Sequence, residues 1–249
     1  MISIVTPVYN AAAFIRQTME MVQAQDYTDW ELLLVDDCSK DRSCEIIEEY
    51  LKEKPDERIR LIKKEKNEGA ALSRNRGIRE AKGRYIAFLD ADDVWLPHKL
   101  KTQMDFMNEQ GCGFVFSAYE FGDEEAVGTG RIVHVPESLT YKKALSRTVI
   151  FTTTVLLDTE KIPKELIYMP NVPSEDSATW WQILRAGHVA KGIDEVLAIY
   201  RRPAKSLSSN KLKAIQRIWY LYREVERLSF WQSCVAFVGW AYRATVRRL

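Results

Sequence analysis

The 249 residues predict an α/β fold: a mostly parallel central sheet flanked by helices, with a C-terminal helical extension. Three observations carry that expectation. Short apolar, β-branched runs alternate with stretches of helical periodicity from the N-terminus to Leu89. The runs are almost continuously apolar, as strands covered on both faces require. Polar clusters stand directly after the runs, where open α/β sheets place their ligands.

The elements follow in order. Ile2–Thr6 predicts a first strand, ended by Pro7 and Asn10. Ala11–Gln25 carries Phe14, Ile15, Met19 and Val22 at helical spacing. Glu31–Val35 is a second strand, stopped by Asp36 and Asp37. Asp41–Lys54 is an amphipathic helix, capped by Ser39 or Asp41. Ile59–Lys63 is a third strand, Leu72–Ala81 a helix closed by Gly83, and Tyr85–Leu89 a fourth strand ending at Asp90. Regularity then weakens. Lys99–Gln110 predicts a helix, Phe114–Ser117 a strand, and residues 122–138 a hairpin or mobile loop. Thr152–Leu157 is a β-rich run, Ser174–Ala186 a helix with Ser174 as cap, and Val196–Tyr200 a last strand.

The net charge of +1 hides an asymmetry. Residues 201–249 hold eleven Lys and Arg against two Glu, so the rest of the chain is acidic. Leu212, Ile215, Ile218, Trp219, Tyr222 and Val225 form an apolar stripe on a basic helix, and Phe230–Tyr242 is denser still. As a helix that second stretch is about 20 Å long, short of the roughly 30 Å hydrocarbon core. An interfacial helix on an anionic membrane fits this pattern; packing on the body or on a second copy is the alternative. The four cysteines have no metal-ligand spacing and no disulfide-dense pattern, which favours a reducing compartment. No secretory signal or spanning run is apparent, so a cytoplasmic protein, peripheral on the inner face of the membrane, is expected.

Chemistry concentrates after the strands. Asp90, Asp92 and Asp93 lie within four residues. Carboxylates that close repel one another, and a hard cation such as Mg²⁺ or Mn²⁺ sharing substrate phosphates relieves them; a solvated, helix-capping turn is the alternative. Asp37 suits a nucleobase N–H and Tyr9 a stacked base, although Asp37 can also serve as a cap and Tyr9 as core. Arg74 and Arg76 fall on a helix aimed at the same rim, where a guanidinium can pair with phosphate. Glu175 and Asp176 open a helix; the dipole favours acids there, and either can serve as a general base. Trp180 and Trp181 are core or a sugar platform.

Together these pieces resemble the family 2 glycosyltransferases of the GT-A (Rossmann-like) fold. The carriers are Ser3-Ile-Val-Thr-Pro-Val-Tyr-Asn10, Val35-Asp-Asp-Cys-Ser-Lys-Asp41, Asn67-Glu-Gly with Ala71-Leu-Ser-Arg-Asn-Arg-Gly77, Gly83-Arg-Tyr-Ile-Ala-Phe-Leu-Asp-Ala-Asp-Asp93, Ser174-Glu-Asp-Ser-Ala-Thr-Trp-Trp-Gln-Ile-Leu-Arg185 and Tyr200-Arg-Arg. Six such pieces in this order are specific. The resemblance implies a catalytic domain over residues 1–205, with a nucleotide-binding half to about residue 95 and an acceptor half beyond it, then a basic tail at 206–249. It implies that Thr6, Pro7 and Tyr9 line the base pocket, Asp37 bonds the base, and Arg74, Asp90 and Ala91 help hold the donor. Asp92 then binds Mn²⁺ or Mg²⁺, Asp176 is the catalytic base and Glu175 supports it on the acceptor side. The implied reaction is inverting transfer of one sugar from a nucleotide sugar, a UDP-sugar above all. The acceptor is a glycan or a polyprenyl-diphosphate-linked glycan in bacterial surface-polysaccharide assembly.

Where the family usually carries a glycine, Cys38 stands after the acidic pair. Trp181-Gln182 matches only part of the signature of processive synthases, so single-sugar transfer is expected. Two other classes compete. A sugar nucleotidyltransferase is expected to carry a Gly-rich loop after the first strand, and Thr6–Asn10 has no glycine. A nucleic-acid-binding protein using the basic tail leaves the acidic rim unexplained, so no nucleic acid partner is expected.

Overall fold

The computed structural model describes residues 1–201 and 211–246. Its core is a sheet read through β1 (Ile2–Val8), β2 (Trp30–Asp36), β3 (Ile59–Lys63) and β4 (Tyr85–Phe88). These four run parallel in the order β3-β2-β1-β4. β2 is buried along its whole length, which is why its sequence shows no alternation. The crossovers are α1 (Ile15–Gln23), α2 (Ser43–Glu53) and α3 (Ala70–Glu80). α3 lies so close to β1 that a Cβ on Gly77 would stand 2.3 Å from Val5 Cγ1, so glycine at that position sets the helix-to-sheet distance.

Beyond β4 the sheet becomes mixed. β5 (Val94–Trp95) is followed by α4 (Lys99–Gln110), β6 (Phe114–Gly122), β7 (Gly128–Val133), β8 (Ser138–Leu139) and α5 (Tyr141–Ser146). Next come β9 (Leu156–Asp158), α6 (Lys164–Ile167), α7 (Glu175–Arg185) and β10 (Ala190–Arg201). β9 runs antiparallel between β4 and β6, and β10 pairs parallel with β6. The region expected as hairpin or loop is a hairpin, with β7 antiparallel to β6.

Three sequence expectations are corrected. The β-rich Thr152–Leu157 run opens as a 3₁₀ turn, Thr152–Thr154, and extends only from Leu156. Its hydroxyls bond locally and to the residue before β5: Thr154 Oγ1 donates to the Phe151 carbonyl at 2.7 Å, and Thr153 Oγ1 to Asp93 at 2.5 Å. Ser174 does not cap α7 with its side chain; it is left-handed at φ 57°. β10 is far longer than Val196–Tyr200, because its first half is gripped by β6 and β8 rather than by its own propensity.

The C-terminal extension forms α8 (Lys211–Tyr220), a π-helical turn at Leu221–Val225, and α9 (Phe230–Val246). It packs on α5 and α7. The Trp181 and Tyr222 rings stack in parallel with centroids 5.5 Å apart. Buried Glu226 takes Tyr141 Oη at 2.5 Å and Arg185 at 2.9 Å. Trp240 Nε1 donates to Thr148 at 3.1 Å. The opposite face of α9 stays apolar and open, with Trp231 76% exposed and Val235, Val238 and Tyr242 beside it at helical spacing. Among the described residues no helix is long and apolar enough to cross a membrane.

Candidate active site

The carboxyl ends of β1, β2 and β4 open on one cleft with two adjoining cavities. The smaller, about 600 Å³, is lined by Pro7, Tyr9, Asn10, Asp37, Gly69 and Ala91. The larger, about 860 Å³, is lined by Thr152, Glu175, Asp176 and residues of α8. Arg74, Asp90 and Asp92 line both, so the cleft runs continuously past them. Three sharp turns shape its rim: Asn10, Cys38 and Ser174 all have positive φ, at 51°, 59° and 57°. Cys38 thus stands in a left-handed position that favours glycine, which accounts for the glycine expected there.

The acids of this cleft are held very differently. Asp37 is buried and receives Lys64 Nζ at 2.6 Å and the backbone N–H groups of Glu68 at 2.9 Å and Gly69 at 2.7 Å. Burial opposes its charge, but Lys64 and the two N–H donors outweigh it and hold the carboxyl below the usual aspartate range. The helix cap that Asp37 could have supplied comes from Asp41, which accepts from Ser43 N at 3.0 Å. Asp90 is tied to Arg74 Nη2 at 2.5 Å, and Arg74 Nη1 reaches Glu175 at 3.0 Å. Arg74 is therefore a buried bridge from the end of β4 to the start of α7. Burial works against its charge, and Asp90 and Glu175 more than compensate, raising its pKa.

Asp93 is buried, accepting from Thr153 and, at 3.3 Å, from the Arg201 N–H; burial and then its acidic neighbours push its pKa well up. Asp92 lies exposed between the two cavities, and desolvation followed by the charge of Asp90 raises its pKa. Asp176 has Thr152 Oγ1 at 3.4 Å and its neighbour's N–H, Ser177, at 2.6 Å. Burial, and then the like charge of Glu175, raises its pKa too. An aspartate pushed upward in this way accepts a proton more readily, as general base catalysis requires.

Not every expected site residue reaches the cleft surface. Thr6 is fully buried, its Oγ1 without a hydrogen-bond partner, while its neighbour Pro7 lines the smaller cavity. Trp180 and Trp181, each 2% exposed, are not a sugar platform. Trp180 packs on Phe88 and Phe114, and Trp181 on Tyr222. Both follow the α7 core face, the alternative their spacing always allowed. Conversely, Lys64, Thr153 and Arg201 were not anticipated. Arg201 grips the Asp92 carbonyl at 2.7 Å, Gln17 at 2.8 Å and the Glu124 carbonyl at 2.6 Å. The Tyr200-Arg-Arg piece was the available signal for it. Asn75, inside the third piece, clamps Met169 through two bonds of 2.7 Å and so positions the chain leading into α7.

The family model described as "Glycosyl transferase family 2" matches residues 3–161. The chain is a family 2 glycosyltransferase. It is 43% identical over its whole length to 98% of a putative teichuronic acid biosynthesis glycosyltransferase, TuaG, of Bacillus subtilis. Over 88% of its length it is 35% identical to 84% of the Escherichia coli protein named UDP-Glc:alpha-D-GlcNAc-diphosphoundecaprenol beta-1,3-glucosyltransferase WfgD. Among solved structures, the mannosyltransferase PcManGT from Pyrobaculum calidifontis, in complex with GDP-Man and Mn²⁺, superposes with a TM-score of 0.73 at 19% identity. That superposition covers 98% of this chain and 75% of that one, and it establishes the GT-A fold.

The residues of this family 2 enzyme fit a divalent cation shared with a substrate. Among the described residues no three His, Cys, Asp or Glu groups are arranged to hold a metal by themselves. Asp92 is nonetheless an exposed hard donor whose charge Arg201 and Arg74 only partly offset, while Asp90 and Asp93 are already bonded. Mg²⁺ and Mn²⁺ are commonly held by one or two carboxylates together with substrate phosphates.

Proposed function

We propose that this glycosyltransferase moves one sugar, with inversion, from a UDP-sugar to a hydroxyl of a polyprenyl-diphosphate-linked glycan in bacterial surface-polysaccharide assembly. The observation that carries the reading is the continuity of the two cavities across Asp92, with an upward-shifted Asp176 on the far side. The base of the donor lies on half-exposed Tyr9 and beside Asp37, with Pro7 and Ala91 completing the pocket. Asp92 would hold Mn²⁺ or Mg²⁺, and the ion would supply charge neutralisation to the leaving nucleoside diphosphate. Arg74 and Asp90 fix the floor beneath the sugar.

Asp176 takes the proton of the acceptor hydroxyl. The freed oxygen pair bonds to the anomeric carbon from the face opposite the diphosphate, and the bond to the diphosphate breaks. A single carboxylate suffices, because the sugar never bonds to the protein. The names of the relatives support a lipid-linked acceptor and a surface polymer. The open apolar row on α9, with exposed Arg227 and Arg243 near its ends, supports docking on the anionic inner face of the cell membrane. The expected boundary between catalytic domain and extension, near residue 205, lies outside the described residues; beyond it α8 and α9 serve as the membrane-facing side.

The test is transfer from a panel of nucleotide sugars to a polyprenyl-diphosphate-linked sugar, with and without Mn²⁺, followed by the anomeric configuration of the product. One UDP-sugar used with inversion and with metal dependence is expected. Retention of configuration, or equal turnover in chelator, contradicts the mechanism; no transfer from any nucleotide sugar contradicts the reading.

A further inference from the structure

The proposed reaction leaves one wall of the larger cavity without a task. Facing the acids of the floor, α8 contributes Lys213, Gln216, Arg217 and Tyr220 to the lining. Lys213 and Arg217 are four residues apart, so they share one helical face. Both are exposed, as is Gln216 between them. The adjacent face of α8 carries exposed Leu212 and Ile215. The third face is anchored: Ile218 is buried, and the helix runs on into buried Leu221 and Tyr222. α8 is thus held by its core side, presents cations and amide to the cavity, and presents aliphatic side chains next to them.

We infer that Lys213 and Arg217 form a subsite for the diphosphate of the acceptor, with the lipid chain leaving along Leu212 and Ile215. This rests on the lipid-linked acceptor proposed above and deepens it. Charge decides the ligand class. A sugar hydroxyl needs no cation, while the cavity floor is dominated by Asp90, Asp92, Asp93, Glu175 and Asp176, which would repel an anionic acceptor. A diphosphate entering that cavity therefore needs a compensating wall, and these are the cations of α8 that line it. The donor also carries a diphosphate, but Asp92, which would hold the cation for that one, stands where the two cavities join. The apolar side of α8 fixes the direction: a diphosphate joined to a hydrocarbon chain meets cations and aliphatic side chains on adjoining faces of one helix. The chain end beyond the diphosphate then points away from Asp176 and the sugar end towards it.

The experiment is calorimetric binding of farnesyl diphosphate, and separately of UDP with Mn²⁺, to the wild type and to the Lys213→Gln/Arg217→Gln double variant. Both positions are exposed, and circular dichroism with a thermal melt checks that the variant is folded. The expected result is a loss of tenfold or more in farnesyl diphosphate affinity with UDP affinity unchanged. Equal farnesyl diphosphate binding in both proteins overturns the subsite, as does failure of the wild type to bind it. Loss of UDP binding by the same factor assigns the cations to the donor and overturns the inference as well. Because binding is read without turnover, a failed donor panel would sink the proposed reaction while leaving this result legible on its own.

Discussion

Asp37 and Asp176 line the two cavities of one cleft and are treated in opposite ways. Asp37 is surrounded by donors, Lys64 and two backbone N–H groups, and its pKa is lowered. Asp176 is desolvated beside another acid, and its pKa is raised. Asp92 is treated like Asp176. The smaller cavity thus holds a carboxylate kept in its charged form by its donors, while the larger keeps carboxylates whose charge is only partly compensated. Residue type alone does not separate the two roles; the donors around each carboxylate do.

The comparison can be broken by substitution. The largest effect on donor binding is expected at Asp92. Asp92→Ala should remove the gain in nucleotide-sugar affinity that Mn²⁺ provides, a loss on the order of tenfold or more by calorimetry. A metal-dependent gain that survives would place the cation elsewhere. Next is Asp37→Asn, which removes the carboxylate facing Lys64 Nζ and leaves that amine paired with Glu68 at 3.2 Å; it should cost about 1–2 kcal/mol in denaturant unfolding. The pH sign follows from the lowered pKa: the Asp37 contribution is complete above the ordinary aspartate value and fades as pH falls through the lowered one. The variant's deficit should therefore narrow in acid, and a deficit that widens there would contradict the assignment.

A subtler change is Glu175→Gln. Removing the like charge should lower the pKa of Asp176, so the acid limb of kcat/KM against pH should move to lower pH. A limb that stays in place would mean another group controls it. The smallest effect is at Cys38, where the left-handed backbone disfavours any side chain. Cys38→Gly should stabilise by at most about 1 kcal/mol, part of the gain being offset by the loss of the Sγ contact to the Lys64 carbonyl.

The parallel half of the fold was legible because its signals are local. Ile59–Lys63 and Lys99–Gln110 have the bounds their apolar patterns predict. Polar residues after β1, β2 and β4 do meet in one cleft. What escaped depends on distant partners. The two-residue β5 exists because β10 pairs with it, and no propensity over so short a stretch can announce it. The periodicity of Trp180 and Trp181 marks a helix face, but which body covers that face is settled by Phe88, Phe114 and Tyr222. The ion pairs of Arg74 could not be foreseen, because its two carboxylate partners lie 16 and 101 residues away in the chain. For the basic C-terminal segment the sequence left a membrane surface and packing on the body both open; packing on α5 and α7 turns one face of α8 into a cavity wall.

The central claim is that Asp176 is the proton acceptor and Asp92 serves the donor, so that binding and chemistry are separable. Asp176→Asn tests it directly, with donor affinity measured by calorimetry and transfer by product release on the same preparation. The account predicts donor affinity within about twofold of wild type, transfer down by roughly 10²–10⁴, and thermal stability equal or higher because a desolvated charge is gone. Transfer at the wild-type rate, with donor affinity intact, would contradict it.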